Sequence, residues 1–477
     1  MPISKKEITI ILIVVALGVA MIGYWLIYNP VRDFQTSIPG MDNRPDSASV
    51  SSEIVNIGET FLTLADIAIN NNKASWTNFR GSDFDNINKE KIKLISKFPK
   101  DGPKIIWSVD LGEGHAAPVI QNGKVYILDY LEKEKADALR CFSLETGEEL
   151  WQRLYKVHIK RNHGMSRTVP AITPKHIVTI GPKGHVMCNN PENGEFFWGI
   201  DLVRDYQTEI PFWYTGQCPL IENEIAVIAP GGKSLIIGID CNTGEVVWST
   251  PNPDNWTMSH SSVMPMTLDG KRMYVYAAIG GICGISAETE DMGKLLWKIT
   301  DFSPNVVAPS PLILENGNIF MSAGYGAGSI LFKVEKVNDK YSTSVLQQFK
   351  PKDGIASEQQ TPLLYKNHIL TILPKDAGGN RNQFVCCSAD DCETILWTSG
   401  KSARYGLGPY MIADNKFFIL KDDGTLTIAE ARIDKFVELD KFKVMDGHDA
   451  WGPLAIADGK LLMRDSKKML CLDIELN

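Results

Sequence analysis

The chain has 477 residues, of which 44% are hydrophobic and 22% are charged, and this composition is typical of a folded globular protein. Asp and Glu number 57 against 49 Lys and Arg, which gives a formal net charge of −8, and the basic residues form no long run. Surfaces that bind nucleic acid need clustered positive charge, so nucleic acid is excluded as an expected partner.

The amino-terminal region contains a segment suited to a membrane. Residues 8–28 read "ITIILIVVALGVAMIGYWLIY", 21 residues without a charge, which is about the length a helix needs to cross a hydrocarbon core. Bulky aromatic residues end this run and no small-residue cleavage motif follows, so we predict an uncleaved anchor. Lys5 and Lys6 precede it and favour a cytoplasmic amino terminus. The remainder of the chain would then be periplasmic or extracellular.

The composition changes after the anchor and again near residue 76. Residues 30–75 include the polar stretch "SIPGMDNRPDSASVSSE" in their first half and show no sustained period, which predicts an extracytoplasmic linker. An alternative for part of this linker is a short segment around "IVNIGETFLTLADI" that docks on the folded domain. We therefore predict an anchor over residues 1–29, a linker over residues 30–75 and a repeat domain over residues 76–477.

A repeated frame fills the third region. Two copies read "LRCFSLETGEELW" and "IIGIDCNTGEVVW": an apolar strand, a turn that carries Gly, and a second strand that closes on Trp. Phe349 and Phe442 stand where two further copies would have their Trp. The closing tryptophans are Trp107, Trp151, Trp198, Trp248, Trp297 and Trp397.

A second marker, a Pro near the start of a strand, recurs in step with the first. Its eight copies are separated by 44 to 52 residues, a spacing that fits four short strands per unit and predicts an all-β, eight-bladed propeller. The last unit stops after three strands, and "PKIIWSVDL" around Trp107 can supply the fourth. Such pairing would close the ring without an open edge. The prolines are Pro118, Pro170, Pro219, Pro265, Pro311, Pro362, Pro409 and Pro453.

The turn with Gly and the closing Trp resemble the tryptophan-docking repeat of the quinoprotein-like eight-bladed propellers. This superfamily includes the pyrroloquinoline quinone (PQQ) alcohol dehydrogenases and the outer-membrane assembly factor BamB. The lead-in "SWTNFRGSDFDN", residues 75–86, is similar to that of bacterial PQQ-binding-like propellers. The resemblance implies that the six tryptophans dock one blade against the next. Because one fold supports many functions, it does not by itself assign chemistry.

Nine cysteines must be placed in this frame. Cys141, Cys188 and Cys387 each precede their closing Trp by ten residues, and Cys283 and Cys471 align with them when turn length is allowed for. A recurring small apolar residue in a third strand is a packing position. The resemblance raises a disulfide between adjacent cysteines, as PQQ dehydrogenases have beside the cofactor. Consecutive strand residues point to opposite faces, so for Cys386 and Cys387 we expect two thiols, or one of them paired with Cys392.

The other marks of a PQQ dehydrogenase are missing. No segment matches the calcium ligands and acidic base that the resemblance implies, and no C-x-x-C-H haem motif follows the repeats. We therefore predict no bound PQQ. No H-x-H or H-E-x-x-H spacing occurs either, so no metal site is predicted.

The residues just before the repeated prolines map one rim of the central channel. Two interpretations compete for the polar residues there. They form a binding site for a small anionic or carbohydrate-like ligand, or they hydrogen-bond to loop backbone and to each other. The candidate ligand-binding residues are His115, His163, Arg167, His260, Arg404, His448, Asp449 and Trp451.

Together these features predict a membrane-anchored propeller that acts as a binding or assembly scaffold without bound PQQ. Its partners would be the membrane, through the helix, and proteins of the envelope or a small ligand. We assign no catalytic residue. The alternative is an enzyme that uses the histidines and arginines of the rim, either a divergent quinoprotein oxidoreductase or a carbohydrate-active enzyme.

Overall fold

A computed structural model describes residues 4–28, 54–70 and 73–476. The chain divides into two compact units, residues 1–54 and residues 55–477. Residues 30–53, 71 and 72 of the predicted linker lie outside the described residues.

The first unit contains one α-helix, Lys5–Ile27. Ser4 caps it: its hydroxyl accepts from the backbone N–H of Glu7, whose carboxylate accepts from the Ser4 N–H at 2.8 Å. This reciprocal capping box satisfies donors that a helix start leaves free. The helix is long and apolar enough to cross a membrane, and none of its residues is buried against protein. The predicted apolar helix is therefore confirmed.

The second unit is built of eight antiparallel sheets, which confirms the predicted eight-bladed propeller. First strands of neighbouring blades contact one another and converge at the centre. Blades 1 and 2 contain the strands Val119–Gln121, Lys124–Leu131, Ala136–Ser143 and Glu149–Lys156, then Ala171–Ile172, Ile177–Ile180, His185–Asn189 and Phe196–Asp201. A short helix, Leu202–Tyr206, follows blade 2.

The next three blades have the same order. Blade 3 contains Leu220–Glu222, Ile225–Ile228, Ser234–Asp240 and Val246–Pro251. Blade 4 contains Met264–Leu268, Lys271–Ala278, Gly281–Ser286 and Leu295–Ile299. Blade 5 contains Leu312–Ile313, Asn318–Ala323, Gly328–Val337 and Lys340–Phe349.

The ring is completed by three further blades. Blade 6 contains Leu363–Tyr365, His368–Ile372, Phe384–Ser388 and Asp391–Thr398, and blade 7 contains Tyr410–Ala413, Lys416–Leu420, Thr425–Glu430 and Glu438–Lys443. Blade 8 contains Ala455–Ala457, Lys460–Arg464 and Lys468–Asp473. Its fourth strand is Lys104–Asp110, which pairs antiparallel with Lys468–Asp473.

Blade 1 carries a fifth strand from the predicted linker. Thr60–Thr63 pairs antiparallel with the blade's outer strand, and Phe61 lies opposite Arg153. The Phe61 ring lies 6.1 Å from Trp151, and the Arg153 guanidinium lies 4.5 Å from the centre of the Phe61 ring. Residues 55–70 therefore belong to the propeller unit, because an apolar and cation–π contact holds them on the blade edge.

Trp198 and Trp397 pack on the turn of the following blade. The Trp198 indole donates to the Cys241 carbonyl at 2.8 Å, and a Cβ on Gly244 would lie 2.6 Å from the ring. Glycine suits this position for two reasons: the Trp198 ring leaves no room for a side chain, and the φ of 75° at Gly244 is a left-handed conformation that glycine adopts readily. The Trp397 indole likewise donates to the Ile433 carbonyl at 3.0 Å.

The strand register corrects part of the predicted cysteine alignment. Cys141, Cys188 and Cys471 do lie opposite their closing tryptophans. In blade 6, however, Cys386 rather than Cys387 lies opposite Trp397, because the register shifts on both sides of Cys387. In blade 4 the residue opposite Trp297 is Gly284, so Cys283 is one position out. All nine cysteines are buried thiols.

The lead-in, residues 76–98, lies across one end of the central channel. Trp76 exchanges two backbone hydrogen bonds of 2.8 Å with Ile120 in blade 1, and Asn88 donates to the Ile412 carbonyl in blade 7 at 2.8 Å. The buried guanidinium of Arg80 donates to the Thr361 carbonyl at 2.6 Å. The contacts with Ile120 and Ile412 place the lead-in at the end where first strands turn into second strands. From there Arg80 reaches Thr361, which lies just before the first strand of blade 6.

Candidate functional site at the channel rim

The opposite end of the channel is bordered by the loops that lead into the first strands, which we call the rim. Side chains at its base link blades 2 to 6 in a chain of hydrogen bonds, the interblade relay. In each link a backbone N–H donates to the side chain at the matching position of the next blade, at 2.8–3.2 Å. The relay runs through Val169, Cys218, Ser262, Ser310 and Thr361.

The relay also corrects one repeat marker. Four relay residues directly precede a repeated Pro, whereas Ser262 lies three residues before Pro265. Pro265 is inside the strand Met264–Leu268 and so is not equivalent to the other prolines. The sequence did not reveal this offset, because the intervals between Pro265 and its neighbouring prolines lie within the range of the other intervals.

In the described part of the chain, the relay does not extend to blades 8 and 1, which are linked instead by a buried arginine, Arg464. Arg464 is 0% exposed, and its guanidinium donates to the carbonyls of Ala116 at 3.3 Å and Gly112 at 3.1 Å. A Cβ on Gly452 would lie 2.8 Å from Arg464 Cγ. Burial lowers the pKa of Arg464 to about 10, which leaves it cationic at neutral pH.

His115 is the most enclosed of the predicted rim histidines. Its ring stacks on Trp451 with centroids 4.8 Å apart, and its Nε2 hydrogen-bonds the His163 carbonyl at 3.2 Å. The Trp451 indole in turn donates to Asp422 Oδ1 at 3.1 Å. Burial, with Arg167 and Arg464 nearby, lowers the pKa of His115 to about 3. This imidazole is therefore neutral at physiological pH.

Arg167 supplies the positive charge of this group. Its Nη2 donates to the carbonyls of Asn162 at 3.2 Å and Gly164 at 3.4 Å, and also to that of His163. Burial lowers the pKa of Arg167 to about 10, against the opposing effect of Tyr325 and other nearby groups. His163 takes part through its backbone, and its side chain is exposed.

His260 is also near the Arg167 charge. Burial, and then the Arg167 charge, lower the pKa of His260 to about 4. Trp213 lies 6.4 Å from the His260 ring and stacks on Tyr325 at 5.6 Å with 18° between the planes. Trp213 comes from the loop between blades 2 and 3, whereas Tyr325 is in blade 5. The aromatic pair therefore bridges loops that are not neighbours in the ring.

Two charged residues flank the aromatic pair. Lys375 Nζ lies 5.4 Å from the centre of the Tyr325 ring and 3.8 Å from Glu358 Oε1. Glu358 is 5% exposed, and burial raises the pKa of its carboxyl group. Glu358, Lys375 and Tyr325 were not among the candidate residues predicted from the sequence. Tyr325 lies in "SAGYGAGS", where its position between two glycines was the available signal.

The remaining predicted residues lie apart from this group. Arg404 donates to the backbone carbonyls of Gly379 at 3.1 Å and Lys401 at 3.2 Å. His448, whose side chain is 81% exposed, pairs with Asp449 at 2.8 Å. The structure thus brings together His115, Arg167, His260, Trp451 and the backbone of His163, but not Arg404 or the side chains of His448 and Asp449.

The residues present do not fit the quinone and calcium site that the resemblance implies. Within residues 4–28, 54–70 and 73–476, no group of three or more His, Cys, Asp or Glu side chains is arranged to hold a metal ion. Cys386 and Cys387 are separate buried thiols in the third strand of blade 6. Cys386 lies opposite Trp397 of the outer strand, away from the inner strands that border the channel.

Comparison with known proteins gives one family and one fold. The sequence model of the family described as outer membrane protein assembly factor BamB matches residues 93–210 and 135–346, which together make up more than half of the chain. No curated protein sequence matches. BamB from Moraxella catarrhalis has a TM-score of 0.50 at 12% identity, over 78% of this chain and 99% of that one.

Two other solved structures share the fold. Quinohemoprotein alcohol dehydrogenase from Comamonas testosteroni has a TM-score of 0.59 at 11% identity, over 83% of this chain and 80% of that one. The computationally designed Ika8 protein has a TM-score of 0.51 at 12% identity, over 78% and 100% of the two chains. These low identities carry a likeness of fold alone. By its match to the family model, this chain belongs to the BamB family of PQQ-like β-propellers.

Proposed function

We propose that this chain is a membrane-anchored propeller scaffold that binds proteins of the cell envelope outside the cytoplasm and works without PQQ. The main support for this proposal is that polar side chains of the rim bind the protein's own loop backbone. His115, Arg167 and Arg404 hydrogen-bond mainly to loop carbonyls, so they hold the loops in place. A rigid loop surface suits docking of a macromolecule.

The exposed residues on the same surface support this function. Phe212 and Tyr325 are 50% and 52% exposed, and aromatic side chains are enriched in the core of protein interfaces. The lead-in covers the other end of the channel, which leaves the rim as the open end. The partner would therefore dock on the rim, next to the Trp213–Tyr325 pair.

The helix Lys5–Ile27 supports the proposed location. An anchor of this kind confines a domain to the membrane surface and raises its effective concentration near membrane partners. Lys5 and Lys6 support a cytoplasmic amino terminus and so an extracytoplasmic propeller. The family to which the chain belongs is described as an assembly factor, which agrees with a scaffold.

Photocrosslinking in the native host tests this proposal. A photoreactive amino acid replaces Phe212 or Tyr325 in the full chain, and a matched variant carries it at Asp269, in an exposed turn between the first two strands of blade 4. We expect defined crosslinks to envelope proteins from positions 212 and 325, and none from position 269. Equal yields from all three positions, or no protein adducts from the rim, would contradict the proposed docking surface.

A further inference from the structure

A surface pocket lies between a hairpin of blade 1 and the loop that leads to blade 2. Side chains within residues 130–135 and 158–165 line it, and we call it the hairpin pocket. The hairpin turn joins the second and third strands of its blade. In an antiparallel sheet this turn is at the same end as the loops that enter the first strands, so the pocket opens on the rim. Its volume is about 300 Å³, the lower limit for pockets that bind small molecules.

The floor of the hairpin pocket is apolar and fixed. Tyr130, Ile159 and Met165 are buried there. The Tyr130 hydroxyl donates to the Val157 carbonyl at 3.0 Å and accepts from the Ile159 N–H at 3.1 Å. The Val157 N–H in turn donates to the Lys135 carbonyl at 3.0 Å. These bonds tie the loop to the hairpin, so the apolar surface between them is formed before a ligand binds.

The walls of the pocket are exposed, and positive charge prevails in them. They contain three cationic side chains, one imidazole and one carboxylate: Lys135, Lys160, Arg161, His158 and Glu132. Residues 156–167, which include the loop side of the pocket, contain four Lys or Arg, two His and no acidic residue. The whole chain has a formal net charge of −8, so this surface differs in sign from the chain as a whole. The walls therefore favour an anionic ligand.

Arg161 is held in place while it stays accessible. Its Nε donates to Glu113 Oε2 at 2.6 Å, and the other oxygen of that carboxylate accepts from the Gly164 N–H at 3.1 Å. Glu113 thus orients the side chain and offsets part of its charge. The Arg161 side chain is nevertheless 74% exposed. Because a guanidinium has five N–H donors, Arg161 retains donors for a second carboxylate.

The position of the pocket favours a protein segment over a free small anion. Exposed charges are screened by salt and hold a lone ion weakly. The pocket, however, adjoins the proposed docking surface, because the Tyr214 hydroxyl donates to the Lys160 carbonyl and Tyr214 directly follows Phe212 and Trp213. A partner docked on that loop would hold its neighbouring residues over the pocket at a high effective concentration.

We propose that the hairpin pocket binds an acidic segment of the envelope protein that docks on the rim. Carboxylates of the segment face Lys135, Lys160 and Arg161, and one apolar side chain of the segment packs on the floor. An apolar anchor surrounded by charged contacts is a common arrangement at protein interfaces. The inference rests on the proposed function and adds to it the chemistry of the partner.

A binding measurement tests the pocket without the native partner. The probe is a short dye-labelled peptide of Asp and Glu around one central Leu, titrated with the full-length protein in detergent micelles at low ionic strength. Fluorescence anisotropy reports binding. We expect the Lys135→Glu and Lys160→Glu double variant to weaken binding on the order of tenfold. A peptide with Asn and Gln in place of the acids, or with Ser in place of Leu, should bind more weakly to the wild type.

A matched variant controls for net charge. Lys350→Glu and Lys352→Glu make the same change at two exposed lysines in the loop between blades 5 and 6, away from the pocket. This variant should bind the acidic peptide as the wild type does. Equal weakening in the two double variants, or equal binding of the acidic and neutral peptides, would overturn the inference.

Photocrosslinking in the native host separates this inference from the proposed function. A photoreactive amino acid replaces Lys133, an exposed residue of the hairpin that does not line the pocket. We expect it to capture the protein captured from position 212, at an acidic segment identified by mass spectrometry. The capture should be lost with Lys135→Glu and Lys160→Glu and kept with Lys350→Glu and Lys352→Glu.

The other outcomes are distinguishable. Adducts from positions 212 and 325 without any from position 133, or adducts from position 133 at a segment without acidic residues, would overturn the pocket and leave the scaffold function standing. If no position captures a protein while the acidic peptide still binds through Lys135 and Lys160, the pocket retains its acidic ligand and the scaffold function is overturned.

Discussion

Trp107 and Cys471 lie opposite each other in one sheet, so the strand that begins the propeller and the strand that ends it share blade 8. Trp107 also docks on blade 1, where its indole donates to the Leu144 carbonyl at 2.8 Å and its ring lies against Gly147. The seam of the ring is therefore held by strand pairing on one side and by tryptophan docking on the other.

Removal of the Trp107 ring should weaken the seam strongly. Trp107→Ala takes away a buried aromatic side chain and a hydrogen bond, and we expect a loss of about 3–5 kcal/mol in the free energy of unfolding. Urea unfolding followed by circular dichroism measures it. Ile105→Ala on the same strand is the control, because Ile105 is 51% exposed and should cost less than about 1 kcal/mol. Equal losses in the two variants would contradict docking at the seam.

The interblade relay predicts a second stability effect. Ser310→Ala removes the acceptor of the Ser262 N–H, 2.9 Å away, and leaves a buried donor without a partner. Such a loss costs about 1–3 kcal/mol. The exposed Ser342 provides the control, since Ser342→Ala should leave the urea midpoint almost unchanged. A Ser310→Ala midpoint equal to the wild-type value would show that the relay contributes nothing to stability.

Arg80 should be essential for attachment of the lead-in. Arg80→Met removes the charged donor from the carbonyls of Thr361 and Pro362, and hydrogen bonds from charged groups contribute about 1.5–3 kcal/mol each. We expect faster hydrogen exchange in residues 76–98 together with lower stability. The control is Lys89→Met, which breaks the ion pairs of an exposed lysine with Asp83 and Asp85 and no contact with another blade. Unchanged exchange in the Arg80 variant would contradict closure of the channel through this residue.

The rim histidines predict a loss of stability in acid. Burial lowers the pKa of His115 to about 3 and of His260 to about 4, from 6.5. The unfolded chain therefore binds protons below about pH 6.5 that the folded protein does not. Stability is fully present above that pH and falls by about 1.4 kcal/mol per pH unit for each histidine on acidification toward the folded values.

Urea unfolding between pH 7 and pH 4.5 measures this dependence. A His115→Gln and His260→Gln double variant should show a shallower fall, because neither position can then take up a proton. The same pH slope in the variant and the wild type would exclude these two histidines as its source.

The propeller was predictable because its signals are periodic. Closing tryptophans recur in six of the eight blades, most of them after a turn that carries Gly, and each signal has a local physical cause in docking or backbone conformation. The register of cysteines was harder to predict, since β-bulges such as those around Cys387 move the pairing without changing the sequence spacing. Pro265 likewise does not mark the start of its strand as the other repeated prolines do, although the spacing of the prolines is regular.

The rim was predictable only in part. Its loops were located because they precede the first strands, but pairing among their side chains depends on contacts between distant blades. The Trp213–Tyr325 stack joins the loop between blades 2 and 3 to blade 5, and nothing in the spacing of these residues encodes it. Arg80 reaches Thr361 across the channel, which is likewise a product of ring closure.

The most direct test of the scaffold function is the composition of the full-length protein isolated from native membranes. Absorbance detects a quinone, elemental analysis detects metals, and mass spectrometry identifies the proteins that remain bound. We expect no stoichiometric PQQ or metal and a defined set of envelope proteins that is lost when the Phe212 and Tyr325 side chains are truncated to Ala. A stoichiometric quinone or metal, released by changes at His115 and Arg167, would contradict the scaffold function and identify the rim as the site of an enzyme.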